Sequence, residues 1–200
     1  MKIVSVTPIV LSIPFDAGGS GEGIMPTTWN ALDFCLVRIE TDAGLVGWGE
    51  GFGYFCSRAV AAIVERAITP LLVGQALPDP RAFSEQAQRR LVLQGRYGIT
   101  TFALSGVDIA LWDLAAKTQG VSIAELSDRG IQRDRVPAYA SLVRYGDAEL
   151  VCRYAEQALE ESYPEIKLHE ITMPVIRACR NAIGDGIPMS IDVTCNWSLE

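Results

Sequence analysis

The sequence predicts an α/β protein in two parts, an α+β unit followed by a β/α unit. Strand patterns open the chain and helical patterns follow them, which is the order of an α+β unit. After Arg135 strand and helix alternate, which is the order of a parallel sheet. Hydrophobic residues make up 49% of the 200 residues and charged ones 20%. That balance supplies packed cores and excludes disordered and fibrous classes.

In the first part, Ile3 to Ile13 is rich in β-branched residues and reads as a strand. Phe34 to Thr41 and Leu45 to Glu50 are two more, joined by Asp42-Ala43-Gly44, a short loop suited to a tight hairpin. Ser57 is placed to cap a helix through Val60, Ile63, Val64 and Ala67 that stops near Pro70. Asp79-Pro80 pairs an N-cap with proline at the first helical position and opens a helix toward Leu93. A third helix runs from about Thr100 to Thr118, with Gly120 as its stop. It is apolar on most faces, so it is expected to lie between other elements.

In the second part, Val136 to Leu142, Glu165 to Glu170 and Pro188 to Thr194 read as strands. Between them lie a helix from Asp147 to Ser162 and a shorter one from Thr172 to Ile183, stopped by Gly184. The polar stretch Ser127 to Arg135 marks the boundary, giving domains of 1–128 and 129–200. Alternation alone does not say whether the parallel sheet is open or closed. A closed (β/α)8 barrel needs ~250 residues, so on that reading the chain holds only its first three strands and stops inside an enzyme.

Composition narrows the partners. The net charge is −7 and no Lys/Arg cluster is present, so a phosphate backbone is repelled and no nucleic-acid partner is expected. The apolar amino terminus carries Thr7, Pro8, Ser12 and Pro14 and reads as a strand, not a signal peptide. The longest apolar run, around Ile99 to Ala116, is broken by Ser105, Asp108 and Asp113; it falls short of the ~18 residues that span a bilayer, so no membrane partner is expected. Five cysteines without a CxxC pair fit a reducing, cytoplasmic setting and argue against a zinc site. None has clustered cations or a second histidine to activate it, so they read as structural.

Chemistry concentrates on the second and third strands of the β/α unit. Side chains alternate along a strand, so Lys167 and His169 share one face while Ile166 and Leu168 share the other. Likewise Ser190, Asp192 and Thr194 oppose Met189, Ile191 and Val193. The polar residues fall late in each strand, where barrel active sites are built. A cation, an imidazole and a carboxylate converging there need a reason to be brought together, because unpaired buried charge is expensive; catalysis at a metal supplies one. The alternative is a solvated sheet on which the three simply face water.

Several motifs then resemble one family. Ala103-Leu104-Ser105-Gly106-Val107-Asp108-Ile109-Ala110-Leu111-Trp112-Asp113 resembles the helix signature of the mandelate racemase/muconate lactonizing enzyme family in the enolase superfamily. Gly44-Leu45-Val46-Gly47-Trp48-Gly49-Glu50 resembles the hairpin of its capping domain, and Arg135-Val136-Pro137-Ala138-Tyr139-Ala140-Ser141 its first barrel strand. Lys167-Leu168-His169 sits where members often have Lys-x-Lys, and Ile191-Asp192 where they place the first metal-binding carboxylate.

The resemblance implies an amino-terminal α+β capping domain followed by the first strands of a modified TIM (β/α) barrel. It implies Mg²⁺ and abstraction of a proton α to a carboxylate, with a small-molecule carboxylate as substrate. A Lys or His base with Mg²⁺ is the family pattern. Such a proton is very weakly acidic, so the enediolate's charge must meet a cation already in place. Asp192 would be one hard-oxygen ligand; the other carboxylates and the opposite-face acid or base would come from later strands.

His169 departs from Lys-x-Lys. A neutral imidazole accepts a proton without the desolvation a lysine needs, so His169 is the expected base; a substrate hydrogen-bond donor or a metal ligand are its other readings. Lys167 would steady a substrate carboxylate oxygen and repel a second charge on His169. Thr194 departs from the Asn that often follows the metal Asp by two, with Asn196 placed to take over that polar role. In the resemblance, the Gly-rich loop Asp16 to Gly23 and Gly51 to Cys56 match lids over the barrel. Trp29, Tyr54 and Phe55 are the expected substrate-binding residues there, against a plain reading as scattered surface aromatics. Trp112 and Asp108 are assigned to cap packing.

Dehydration of a sugar acid is the expected reaction, with racemisation or epimerisation the alternative, in a homo-oligomer of open order. A non-catalytic binding module of the same fold is the second alternative. The 200-residue chain by itself is expected to be inactive.

Overall fold

The computed structural model describes residues 1–16, 18–19, 30–126, 130–131, 133–194 and 196–198. The chain divides into two compact units, Met1–Ile13 with Leu32–Gln132, and Pro14–Ala31 with Arg133–Glu200.

The first unit carries a sheet of order β1-β2-β3, formed by β1 (Ile3–Pro14), β2 (Ala31–Thr41) and β3 (Val46–Gly51). β2 and β3 pair antiparallel through the expected turn, where Gly44 takes φ 79°. The register sets Cys35, Val37 and Ile39, all fully buried, opposite Gly51, Gly49 and Gly47. Those glycines occupy one face of β3, and helix α4 (Ile99–Gln119) closes directly onto it. A Cβ on Gly47 would collide with the Ala110 carbonyl oxygen, and one on Gly49 with that of Gly106. The contact is backbone on backbone, and only glycine leaves room for it.

Helix α1 (Ser57–Ile63) is preceded by Cys56 at the N-cap, which makes no side-chain cap bond, so Ser57 does not cap the helix. The helical run ends at Leu72, near Pro70 as its sequence predicts. The chain passes through a π-helical turn, Val64–Ile68, into α2 (Thr69–Leu72), with Pro70 inside that last segment. Proline lacks the N–H for an α-helical bond. In the wider turn before it, Thr69 donates both its N–H and, at 2.8 Å, its Oγ1 to the Val64 carbonyl. Helix α3 (Pro80–Arg90) starts as its sequence demands: Asp79 accepts from Ala82 N at 2.9 Å, and Pro80 occupies the first turn.

Helix α4 (Ile99–Gln119) ends at Gly120 in the left-handed conformation. Against expectation, it is 21 residues long and contains an 18-residue stretch apolar enough, by length and composition, to cross a membrane. Half of that stretch is buried in the core, where Ala103, Val107, Ala110, Leu111 and Leu114 lie among Ile3, Val37, Val60, Val64 and Phe83, while Ile99 and Ile109 stay exposed. It also covers the edge of β3. Asp113 Oδ2 accepts from Trp48 N at 2.9 Å, and Lys117 Nζ donates to Val46 O at 2.8 Å. An edge strand's unpaired groups are thereby occupied. Trp112 packs under the Arg81 guanidinium at 5.5 Å and hydrogen-bonds Asp108, whose carboxyl burial holds above its usual range.

The second unit carries a parallel sheet of order β4-β5-β6: β4 (Ala140–Ser141), β5 (Ile166–Leu168) and β6 (Met189–Ile191). All three strands are shorter than their sequence patterns. β4 loses most, because its ladder with β5 covers only Ala140↔Ile166 and Ser141↔Lys167, and Val136 is 73% exposed. Helix α5 (Ala148–Glu160) follows its Asp147 cap, which accepts from Leu150 N at 2.9 Å. Helix α6 (Met173–Ile183) ends at Gly184, φ 76°. Ile166 and Leu168, both fully inaccessible, pack with Val151, Ala155, Val175 and Cys179. The apolar face of the sheet is thus covered by helices, as a β/α unit requires.

Candidate active site

The register of the second sheet gathers the polar residues. Lys167 lies beside Ser141 on one side and Ser190 on the other, and Leu168 beside Ile191. One step further along, His169 and Asp192 share the polar face, and Asp192 N donates to Leu168 O at 2.8 Å. Lys167 Nζ donates to Asp192 Oδ2 at 2.9 Å, and His169 Nε2 stands 3.7 Å from the same oxygen. Lys167 and His169 thus converge on one carboxylate oxygen of Asp192.

This arrangement changes the electrostatics expected of Lys167. Its ammonium is held above the usual range by its hydrogen bond to Asp192, and the same bond, with Thr194 N at 3.0 Å on Oδ1, holds Asp192 below the usual carboxylate range. The lysine's charge is therefore matched locally by Asp192 and not directed as repulsion at His169.

His169 is anchored from behind. Its Nδ1 lies 2.6 Å from Leu142 O. A carbonyl only accepts, so Nδ1 carries the proton, and in the neutral ring Nε2 is left with its lone pair toward the site. Arg144 Nε donates to the His169 carbonyl at 2.9 Å. Glu170, 1% exposed, accepts from Tyr145 N at 2.7 Å and from Gly146 N at 3.2 Å. These bonds tie the segment after β4 to the end of β5. Glu170 was not singled out from the sequence, although it is in phase with the buried Ile166 and Leu168, and that phase is the signal that marks it. Arg144 carries no such signal.

Thr194 is held at φ 49°, a conformation unusual for a β-branched residue. Asn196 is exposed, with Nδ2 donating to Val193 O at 2.7 Å and Thr194 O at 3.2 Å, so its amide closes its own turn. Of the aromatics expected to bind substrate, Tyr54 and Phe55 belong to the first unit. Tyr54 packs on Phe52 at 4.7 Å, and Phe55 is 53% exposed with φ 57°. Trp29 lies outside the described residues, as does most of the Gly-rich loop. Burial raises the Cys35 thiol and takes that of Cys179 up to about 11, the opposite of activation.

Comparison with known proteins agrees with this architecture. The sequence model described as mandelate racemase/muconate lactonizing enzyme, N-terminal domain, matches residues 23–127. The chain is 36% identical over 176 residues to D-galactarolactone cycloisomerase of Agrobacterium fabrum, covering 82% of this chain and 45% of that protein. It is 25% identical over 180 residues to arabinonate dehydratase of Saccharolobus solfataricus, covering 84% and 47%. The chain thus spans about half the length of these relatives. Among solved structures, a mandelate racemase/muconate lactonizing protein from Paracoccus denitrificans PD1222, complexed with magnesium, superposes with TM-score 0.80 at 29% identity, over 98% of this chain and 52% of that one. With the family's capping-domain model matching residues 23–127, more than half of this chain, the chain belongs to the mandelate racemase/muconate lactonizing enzyme family of the enolase superfamily.

Proposed function

We propose that this chain supplies the cap (1–128) and first barrel strands (129–200) of an Mg²⁺-dependent dehydratase acting on a sugar acid. The observation that carries the reading is the convergence of Lys167 and His169 on Asp192, with the His169 tautomer set by Leu142 O. The names of the two curated relatives, a cycloisomerase of a sugar-acid lactone and a sugar-acid dehydratase, support the substrate class.

In this reading Nε2 of His169 accepts the proton from the carbon α to the substrate carboxylate. Lys167 steadies the carboxylate oxygens as negative charge grows on them. Loss of the β-hydroxyl as water completes the dehydration, and the acid that protonates that hydroxyl comes from outside the described residues. Asp192 offers a hard carboxylate oxygen that fits Mg²⁺ as one ligand. Among the described residues no group of three His, Cys, Asp or Glu is placed to hold a metal, so the rest of its shell would come from elsewhere. When bound, Mg²⁺ would stabilise the negative charge that builds on the carboxylate oxygens as the α proton leaves.

The test is His169→Asn in the full-length protein, assayed against sugar acids with Mg²⁺. Asn keeps a side-chain N–H that can reach Leu142 O but offers no basic nitrogen, so kcat should fall by about 10²–10⁴-fold. Turnover at the wild-type rate would place the base elsewhere. Release of a 2-keto-3-deoxy acid identifies dehydration; a stereoisomer of the substrate would identify the racemase/epimerase alternative.

A further inference from the structure

Two buried polar atoms in the second unit have no hydrogen-bond partner among the described residues, Arg144 Nη2 and Thr194 Oγ1. They lie beyond the ends of β4 and β6, the two strands that flank β5 with its Lys167 and His169. Arg144 is held in place by Nε, which donates to His169 O, yet its guanidinium forms no ion pair among the described residues. A guanidinium is always charged, and a buried N–H without an acceptor carries a desolvation cost that a bound acceptor removes. Lys167, by contrast, already has its carboxylate. Among the described residues, Arg144 is therefore the cation of this site without a carboxylate partner. Thr194 is held at φ 49° with its N–H on Asp192 Oδ1, and its buried Oγ1 is likewise without a partner among the described residues.

The geometry points to Arg144 as a specificity-determining residue that binds a carboxylate oxygen of the substrate through Nη2, with Thr194 Oγ1 taking a hydroxyl of the same molecule. An anionic oxygen and a hydroxyl on one small molecule are what a sugar acid offers, and the inference rests on the reading above that such an acid binds here. Binding to Arg144 is a ground-state contact, separate from the proton transfer assigned to His169.

The experiment is calorimetric binding, without turnover as a readout, of D-arabinonate and its neutral polyol arabinitol to the full-length protein in millimolar Mg²⁺. The wild type is expected to prefer the acid. Arg144→Gln should weaken D-arabinonate by about tenfold or more and leave arabinitol within about twofold, because only the charge-assisted contact is lost. Thr194→Val should weaken both ligands alike. Where the Gln variant does not fold, Arg144→Lys carries the test. It keeps the charge but cannot hold the His169 carbonyl and a ligand with one planar fork, so a loss of about threefold or more supports the assignment. Unchanged affinity for D-arabinonate in the Arg144 variant overturns it. A wild type that does not distinguish the acid from the polyol overturns the sugar-acid reading as well, whereas activity surviving in His169→Asn removes the base assignment and leaves Arg144 untouched.

Discussion

Lys167 and Asp192 form an ion pair of 2.9 Å across two adjacent parallel strands. Its pH dependence follows from the directions of the two shifts. A carboxyl held low contributes stability above its unfolded pKa and loses it as pH falls through the lower folded value. An ammonium held high contributes below its unfolded pKa and loses that as pH rises through the higher folded value. The pair therefore operates from the acid side of about 4 to the alkaline side of about 10. Carbon-13 NMR of the Asp192 carboxyl should show a midpoint below the usual range, moving up in Lys167→Met. The return should be incomplete, because Thr194 N still donates to Oδ1. A midpoint indifferent to Lys167 would mean that the two do not pair in solution.

The glycines of β3 give a sharper prediction about the first unit. In Gly49→Ala the new Cβ meets the Gly106 carbonyl oxygen and stands 2.7 Å from Ala110 N, both backbone atoms of α4. Neither can swing aside, so helix and strand must separate, at a cost of about 2–4 kcal/mol. Gly44→Ala is the control. Nothing lies within 4 Å of its added Cβ, and only the left-handed φ of 79° resists it, for about 1–2 kcal/mol. Urea unfolding of the two variants measures the difference. If Gly49→Ala proved no worse than Gly44→Ala, the close approach of α4 to β3 would be wrong.

What the sequence makes legible here is local. Asp79 and Asp147 cap the helices that follow them, and Gly120 and Gly184 stop the ones before them, because each of these acts within one turn of its own position. The alternation of Lys167 and His169 against Ile166 and Leu168 is equally local, and it predicts which face holds the polar groups. The π turn before Pro70 is not legible, because it depends on Thr69 reaching back five residues to Val64 O. Arg144 is invisible for a related reason: its partner is a backbone carbonyl 25 positions away, and a carbonyl leaves no mark on a sequence. The charge state of the site is also non-local. That Lys167 is matched by Asp192 follows only from the β5–β6 register, which no spacing within either strand reveals.

The tautomer of His169 offers a test of the site that needs no substrate. Nδ1 lies 2.6 Å from Leu142 O, and the only hydrogen bond a carbonyl can make there requires the proton on Nδ1. Nε2, 3.7 Å from Asp192 Oδ2, is beyond hydrogen-bond range of that oxygen, so nothing at that distance holds a proton on it in the neutral ring. Nitrogen-15 spectra of the neutral imidazole should therefore show a protonated Nδ1 and a bare Nε2. This is the minority tautomer of free histidine in water, so the signature is distinctive. The opposite tautomer would turn Nε2 into a donor toward Asp192 and leave His169 unable to receive a proton from that side. It would then be a substrate hydrogen-bond donor, and the base would have to be sought on another strand.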